Sequence, residues 1–127
     1  MKRLINTPAA PAAIGPYSQG IGAAGEMVYV SGQLPVNPAT GEFTSDEIQG
    51  QSRQSLLNVQ EILSAAGCDM GDVVKTTVYL SDIKNFEAMN EVYAEFFQEP
   101  YPARAAFQVA ALPKGALVEI EVVACKK

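Results

Sequence analysis

The sequence contains no histidine among its 127 residues, and this absence excludes several classes of enzyme. Ser-His-Asp triads, Cys-His dyads, zinc-protease helices and phosphohistidine chemistry all need an imidazole. Any acid–base chemistry must therefore use a carboxylate, a lysine, a tyrosine, a cysteine or ordered water. A metal site would need oxygen ligands, and no acidic loop has the spacing of a calcium site, so we expect no metal.

Cysteines and long apolar runs are also scarce. Cys68 and Cys125 form no CxxC motif, and we interpret them as small buried side chains of a protein kept in a reducing compartment. No run approaches the roughly 18 apolar residues of a membrane span, and Leu4 and Ile5 are too few for the apolar part of a signal peptide. We therefore expect a cytoplasmic protein that makes no contact with membranes.

Basic side chains are outnumbered by acidic ones. The chain has 9 Lys and Arg against 14 Asp and Glu, which gives a net charge of −5. Because an acidic surface repels phosphates, nucleic acid is a poor candidate partner. The length and the hydrophobic content of 48% fit one globular domain over residues 1–127.

The order of periodic segments predicts an α+β fold, in which two helices pack on one face of a mixed sheet. A turn-rich entry with a short strand at residues 17–21 precedes the main strands, predicted at residues 26–31, 72–80, 104–109 and 116–125. If the strands that flank the first helix are parallel neighbours, their connection is a right-handed crossover.

Local signals predict where the two helices begin and end. Thr44 and Glu47 have the spacing of a capping box for the first helix, and Gly67 is expected to end it. Gly50 weakens its first turns by roughly 1 kcal/mol relative to alanine. Ser81 or Asp82 is expected to cap the second helix. One side of that helix carries its apolar residues, namely Phe86, Met89, Tyr93, Phe96 and Phe97.

The last predicted strand carries apolar residues on both of its faces. One face is expected to lie beneath the helices and holds Ala116, Val118, Ile120 and Val122. The other holds two glutamates between apolar side chains, in the set Leu117, Glu119, Glu121, Val123 and Cys125. Because two helices cover only one face, we expect another subunit to cover the second, which predicts a homo-oligomer.

Charged residues at such a covered face are candidates for chemistry. In a chain without histidine, a buried glutamate is the best available general acid or base, and Glu119 and Glu121 are the candidates. Alternatively, both are edge-of-sheet residues in water or in ion pairs. Arg104 has small apolar neighbours in the sequence, and its guanidinium suits a planar carboxylate ligand. Alternatively, it forms a structural bridge to one of the two glutamates, and the pattern leaves both interpretations open.

Five segments together resemble the Rid family, also called YjgF, and within it the RidA branch of enamine/imine deaminases. They are Ala10-Pro-Ala-Ala-Ile-Gly-Pro-Tyr-Ser-Gln-Gly20, Val30-Ser-Gly-Gln33, Val73-Val-Lys-Thr-Thr-Val78, Tyr101-Pro-Ala-Arg104 and Leu112-Pro-Lys-Gly-Ala-Leu-Val-Glu-Ile-Glu-Val-Val-Ala124. The resemblance implies a chorismate-mutase-like α+β fold, a homotrimer and sites in the clefts between subunits. It also implies hydrolysis of 2-imino acids to 2-keto acids and ammonia without a cofactor, which protects pyridoxal-phosphate enzymes from damage.

The resemblance also assigns roles to individual residues. Arg104 matches the arginine that pairs with the substrate carboxylate, and Glu119 matches the residue that activates water. The residues that match the lining of the pocket are Tyr17, Ser31, Gly32 and Asn90. Glu121 falls outside the catalytic set. Many relatives carry a cysteine two positions after the arginine, where this chain has Ala106, so only the backbone carbonyl at this position is expected to contribute.

A second function stays open on the sequence alone. The same arginine-lined cleft would suit a non-catalytic protein that binds small carboxylates, or a regulatory or chaperone-like protein. An RNA-cleaving role, also linked to relatives, fits least well with the net charge of −5.

Overall fold

The computed structural model describes residues 2–127 and divides them into two sheets and two helices. The strands are β1 (Lys2–Ile5), β2 (Gly20–Ala23), β3 (Glu26–Gln33), β4 (Val73–Leu80), β5 (Ala103–Gln108) and β6 (Val118–Lys126), and the helices are α1 (Ile48–Ala65) and α2 (Phe86–Phe96). Strands β1 and β2 form a small antiparallel sheet, and the other four form the main sheet. The predicted α+β arrangement is confirmed.

The main sheet has the order β3-β6-β4-β5. Strand β6 runs antiparallel to both of its neighbours, β3 and β4, whereas β4 and β5 are parallel. The strands on either side of α1 are therefore not neighbours, because β6 lies between them, and the condition for the predicted crossover is not met. The parallel neighbours are instead connected through α2. The edge-of-sheet interpretation of Glu119 and Glu121 is also wrong, because β6 is a central strand.

Helix α1 begins later than the capping-box prediction placed it. Glu47 is extended and occupies the N-cap position without a side-chain hydrogen bond. The hydroxyl of Ser45 instead accepts from the backbone N–H of Glu47 at 3.0 Å, a local turn that delays helical geometry until Ile48. A side chain at Gly50 would overlap Ser45, which explains a glycine inside the first turn.

The predicted end of α1 at Gly67 is confirmed. Gly67 has a φ of 77°, in the left-handed region that glycine adopts without strain. Its N–H donates to the carbonyl of Ser64 at 3.0 Å, and the N–H of Cys68 donates to that of Leu63 at 2.8 Å. These two bonds are the pair that closes a helix in the Schellman motif.

Asp82, one of the two predicted caps of the second helix, caps instead the turn that precedes α2, and Asn85 occupies the N-cap position of α2 itself. The side chain of Asp82 accepts from the N–H of Lys84 at 2.9 Å and opens a 3-10 turn at Ile83–Asn85, which continues directly into the helix. Met89 and Tyr93 on the predicted stripe are fully buried. The stripe therefore packs into the core, as expected from its spacing.

The entry segment differs from the prediction in its strands. Strand β1 was not predicted, and the short strand near residue 20 is Gly20–Ala23 rather than residues 17–21. The four residues of β1 have no alternating pattern that would predict a strand. They become a strand because they pair with β2. Ser18 forms an isolated bridge with Ala103, which attaches the entry segment to the start of β5.

The core lies between the two helices and one face of the main sheet. It contains fully buried residues of every layer, namely Leu56, Val59, Leu63, Met89, Tyr93, Val78, Val118 and Ile120. The predicted assignment of Ala116, Val118, Ile120 and Val122 to the buried face is confirmed, since each is at most 2% exposed. Within residues 2–127, no helix is both long and apolar enough to cross a bilayer.

The opposite face of the main sheet, called here the open face, presents apolar and charged side chains away from the helices. By strand alternation and register it holds Met27, Tyr29, Thr77, Tyr79, Ala105, Phe107, Glu119, Glu121 and Val123. Tyr29 is 74% exposed and Phe107 is 44% exposed in the single chain.

Candidate active site

Strand β5 places Arg104 on the helix side of the main sheet, in a ring of aromatic side chains. Arg104 lies beside Thr76 of β4, which is fully buried on that side. The guanidinium carbon lies 4.7 Å from the ring centre of Tyr93, 5.4 Å from that of Tyr17 and 5.5 Å from that of Phe86. Such rings hold a planar cation by cation–π attraction and restrict its rotation.

The charge of Arg104 is not neutralised by an acidic residue. Its Nη1 donates to the Oδ1 of Asn90 at 2.6 Å, a neutral acceptor. Within residues 2–127 the only ion pair joins Arg53 of α1 to Glu95 of α2, and both of its side chains are exposed on the helices. Burial lowers the pKa of Arg104, but a guanidinium stays protonated at neutral pH. The structural bridge to Glu119 or Glu121 is therefore wrong, and the half-buried cation is available to an anionic ligand.

The entry segment positions Tyr17 against this arginine. The hydroxyl of Ser18 donates to the carbonyl of Tyr101 at 2.5 Å, and its N–H donates to the carbonyl of Pro102 at 3.1 Å. Both bonds tie the neighbour of Tyr17 to the residues that lead into β5. Tyr17 and Tyr101 line a cleft of about 570 Å³. We call Tyr17, Asn90 and Arg104 the arginine cluster.

A second group of predicted site residues lies where β3 meets β6. Val30 pairs with Val122 and Gln33 with Ile120, so Ser31 and Gly32 together lie opposite the single residue Glu121 of β6. This is a β-bulge, a device that often redirects side chains beside active sites. We call Ser31, Gly32 and Glu119 the glutamate cluster.

The Glu119 carboxylate occupies the space that a side chain at Gly32 would fill. A methyl group built on Gly32 would overlap Oε2 of Glu119. The glycine at this position is therefore required by the close approach of the carboxylate. Gly32 also lines a cleft of about 430 Å³ that continues past Leu34 toward Ile62 of α1.

The arginine cluster and the glutamate cluster lie on opposite faces of the main sheet. Arg104 shares a row with Thr76 and Val122 on the helix side, whereas Glu119 shares a row with Tyr79 on the open face. The two Cα atoms are three residues along and two strands across, which corresponds to about 14 Å. One chain therefore does not bring Arg104 and Glu119 together around one small ligand.

Ala106 lies two residues after Arg104 on the same side of β5. Its side chain packs against the core. Strand β5 is at the edge of the main sheet, where β4 pairs along its whole length on one side and Ser18 bridges only Ala103 on the other. A carbonyl of an edge strand is accessible to water or to a ligand, which is the contribution expected of this residue.

Two aromatic residues of the site were not predicted as such. Phe86 and Tyr93 belong to the apolar side predicted for the second helix, and both also flank the guanidinium of Arg104. Tyr93 donates to or accepts from the Thr76 hydroxyl at 2.8 Å, and desolvation raises the pKa of Tyr93 to about 12. Their spacing with Asn90 along α2 places all three on one helix face, a signal that could have found them.

Glu121 is held apart from Glu119. Its carboxylate accepts a hydrogen bond from the hydroxyl of Tyr79 on β4. That bond, followed by desolvation and the charges of both glutamates, raises the pKa of Tyr79 to about 12. Glu121 is thus directed toward β4, whereas Glu119 is directed toward the bulge in β3.

The fold and these clusters define a class of protein: two helices on a mixed sheet, with an unneutralised arginine on one face and a carboxylate at a bulge on the other. A sequence model described as Endoribonuclease L-PSP matches residues 7–126. The chain belongs to this family, which confirms the resemblance to YjgF and Rid proteins.

Similar proteins cover nearly the whole chain. A goat protein named 2-iminobutanoate/2-iminopropanoate deaminase is 52% identical over 124 residues, which are 98% of this chain and 90% of that protein. A RutC family protein of Pyrococcus horikoshii is 51% identical over the full length of both chains. Among solved structures, Escherichia coli TdcF with bound serine has a TM-score of 0.76 and 48% identity, covering 98% of this chain and 99% of that one.

Proposed function

We propose that this chain hydrolyses reactive 2-imino acids, the tautomers of 2-aminoacrylate and 2-aminocrotonate, to 2-keto acids and ammonia. The observation that carries the proposal is the half-buried Arg104, whose charge has no acidic partner within residues 2–127. A guanidinium in this state suits the carboxylate of a small imino acid. Relatives about half identical to the chain are named for this activity.

The proposed site lies between copies of the chain in a homotrimer. Because the arginine cluster and the glutamate cluster lie on opposite faces, a ligand contacts both only if a second copy supplies one of them. The apolar residues of the open face would then be covered by neighbouring copies, as expected for an interface. Tyr17, Asn90 and Arg104 of one copy would face Ser31, Gly32 and Glu119 of the next.

The proposed chemistry needs few groups. Arg104 binds the substrate carboxylate and orients the C=N bond. Glu119 accepts a proton from water as the water oxygen adds to the imine carbon, and it passes this proton to the nitrogen, which gives a carbinolamine. Glu119 then transfers the proton of the new hydroxyl to the nitrogen, so that the C=O bond forms as the C–N bond breaks and ammonia leaves. The backbone carbonyl of Ala106 is available to position that water. Imines are already electrophilic, so the reduction in barrier that the protein must provide is small.

The physiological role that follows is protection. Enzymes that use pyridoxal phosphate release such imines, and hydrolysis removes them before they react with other proteins. Nothing in the proposed steps uses a cofactor. We further propose that the chain acts in the cytoplasm, where these intermediates form.

A direct assay tests the activity. A serine or threonine dehydratase generates the imine, and release of keto acid and ammonia is compared with and without the chain. Glu119→Gln is expected to lower kcat at least a hundredfold, the usual effect of losing a general base. Glu26→Gln, an exposed carboxylate at the other end of β3, is the matched control and should keep full activity. Wild-type protein that does not accelerate imine loss above buffer would refute the proposal.

The alternative is a protein that binds small carboxylates at the same site between copies but does not hydrolyse imines. Calorimetric titration with 2-ketobutyrate, the hydrolysis product, separates the two functions. A binding protein would bind the keto acid through Arg104 yet show no acceleration of imine loss in the wild type. The enzyme would show both binding and turnover, and Glu119→Gln would remove turnover while binding persists.

A further inference from the structure

Two carboxylates lie two residues apart on the open face, and the chain directs them in opposite directions. Glu119 and Glu121 have Cα atoms about 7 Å apart on the same side of β6. Glu119 extends over Gly32 at the bulge in β3, whereas Glu121 accepts from Tyr79 on β4. If both carboxylates extended in the same direction, their like charges would repel each other at close range.

Tyr79 makes this separation from an unexpected position. In the register of β4 and β6 it lies directly opposite Glu119, yet its hydroxyl donates to the diagonal neighbour, Glu121. The ring of Phe107 packs edge-on against the Tyr79 ring, with centroids 5.5 Å apart and planes at 87°. Phe107 thus packs against the ring of the tyrosine whose hydroxyl donates to Glu121.

Tyr79 remains a donor over the whole range in which the protein would act. Its pKa is raised to about 12, first by the bond to Glu121, so the hydroxyl keeps its proton at neutral pH. A phenol in this state stabilises one carboxylate by a charge-assisted hydrogen bond. Gly32 offers no side chain to Glu119, so the neighbouring carboxylate has no matching restraint from that residue.

We propose that Tyr79 is a positioning residue, which holds Glu121 against β4 so that Glu119 alone of the two carboxylates is free at the Gly32 bulge. The inference rests on the proposed function for its consequence in catalysis. It assigns roles to two residues outside the catalytic set, and it explains why two adjacent glutamates on one face do not act alike.

The other charged and titratable groups on the open face do not replace Tyr79. By alternation and register they are Lys75 on β4, Tyr29 on β3 and Cys125 on β6. Strand β5 supplies Ala103, Ala105 and Phe107, none of which titrates. Within the described residues 2–127, neither Glu119 nor Glu121 has an ion-pair partner.

Removal of the Tyr79 hydroxyl is the test. In Tyr79→Phe, Glu121 loses its donor and its charge moves closer to Glu119. The acidic limb of the pH profile of kcat/KM should then move to higher pH by about half a unit, because the same like charge acts at a shorter distance. Tyr29→Phe is the matched control, because it removes a tyrosine hydroxyl from the same face at a position opposite Val123 rather than a glutamate.

A second variant separates positioning from a structural effect. In Tyr79→Phe with Glu121→Gln, the displaced charge is absent, so the limb should return to or below its wild-type position. A merely structural role would lower kcat/KM by one factor at every pH and leave the limb in place, which would overturn the inference. Size-exclusion chromatography verifies that each variant keeps the wild-type assembly.

An independent readout covers the case in which imine hydrolysis itself fails. Carbon-detected NMR titration of the glutamate side chains follows Glu119 without any substrate. The same shift of about half a unit in its titration midpoint is expected in Tyr79→Phe and not in Tyr29→Phe. Equal midpoints in both variants would refute the positioning role, whereas an inactive wild type would refute only the proposed activity.

Discussion

The two faces of the main sheet are built from the same strands and are completed in different ways. On the helix side, Val118, Ile120 and Val122 of β6 are at most 2% exposed, and one chain supplies all of their cover. On the open face of the same strand, Glu119, Glu121 and Val123 are only partly buried, and Tyr29 of the adjacent strand is 74% exposed. The first face forms the core of the single chain, and the second is the face on which we propose that neighbouring copies pack.

The charged residues follow the same division. Arg104 reaches the helix side, where aromatic rings surround it, and Glu119 lies on the open face at the bulge. Residues an even number of positions apart along a strand share one face of the sheet, whereas residues an odd number of positions apart lie on opposite faces. Strand alternation therefore separates the proposed catalytic pair within one chain, so the proposed site needs a second copy to complete it.

The largest effect is expected when this separation is tested by subunit mixing. Arg104→Ala and Glu119→Gln should each lose at least a hundredfold in kcat/KM, since each removes a charged contact with the reacting molecule. Unfolding the two variants together and refolding them should restore about a quarter of the wild-type activity, because a cyclic trimer pairs an intact arginine with an intact glutamate at that frequency.

The controls for mixing are the same variants refolded separately, which should stay inactive. Exchange of subunits is verified by mass spectrometry of the intact assemblies. A mixture that contains mixed assemblies and yet has no activity would place both residues of each site on one chain, contrary to the arrangement of the two faces.

The adjacent valines of β6 compare the two faces by their energetics. Val122→Ala removes methyl groups from the core and should lower the free energy of unfolding by about 2 kcal/mol. Val123→Ala makes the same chemical change on the open face, and it should weaken association of the chains more than it weakens their folding. Urea unfolding measures the first effect and sedimentation equilibrium the second. Equal losses of folding stability in both variants would contradict the division between the faces.

The buried Tyr93 on the helix side should make the free energy of unfolding depend on pH in alkaline solution. Desolvation raises the pKa of Tyr93 to about 12, whereas tyrosine in an unfolded chain ionises near 10. Between these values the unfolded state binds fewer protons, so the free energy of unfolding falls as the pH rises from about 10 to 12.

Tyr93→Phe tests this expectation. The variant should lose about 1.5 kcal/mol at neutral pH, because the buried Thr76 hydroxyl loses its partner, and its stability should fall less steeply above pH 10 than that of the wild type. Urea unfolding at fixed protein concentration from pH 8 to 11.5 compares Tyr93→Phe with the wild type. An unchanged alkaline slope in Tyr93→Phe would show that other groups cause the fall.

The sequence predicted most elements because their patterns are local. The alternation in β6, the apolar stripe of α2 and the glycine after α1 each depend on a few neighbouring residues. The start of α1 and the pairing of β1 were not predicted. The first depends on the side chain of Ser45 at its local turn, and the second on a partner about 20 residues away.

The candidate site was predicted residue by residue, but its arrangement was not. Alternation could place Glu119 on one face, yet only the register of β5 beside β4 shows that Arg104 points to the other. The space that Gly32 leaves for Glu119 depends on a bulge, which shifts the register between β3 and β6 without a sequence signature of its own. Long-range contacts of this kind are not encoded in any short segment.

The smallest effect is expected at Asn90, which supports the arginine without carrying charge. Asn90→Ala removes the acceptor 2.6 Å from Nη1 of Arg104, so the guanidinium is less restricted when the substrate arrives. KM should rise about fivefold with little change in kcat, the result of losing about 1 kcal/mol of binding that ground state and transition state share. Asn90→Asp should raise KM further, because the new carboxylate would form an ion pair with Arg104 and compete with the substrate carboxylate. Steady-state kinetics on the coupled imine assay measure both, and a KM for Asn90→Asp at or below that of Asn90→Ala would mean that Arg104 does not bind the substrate carboxylate.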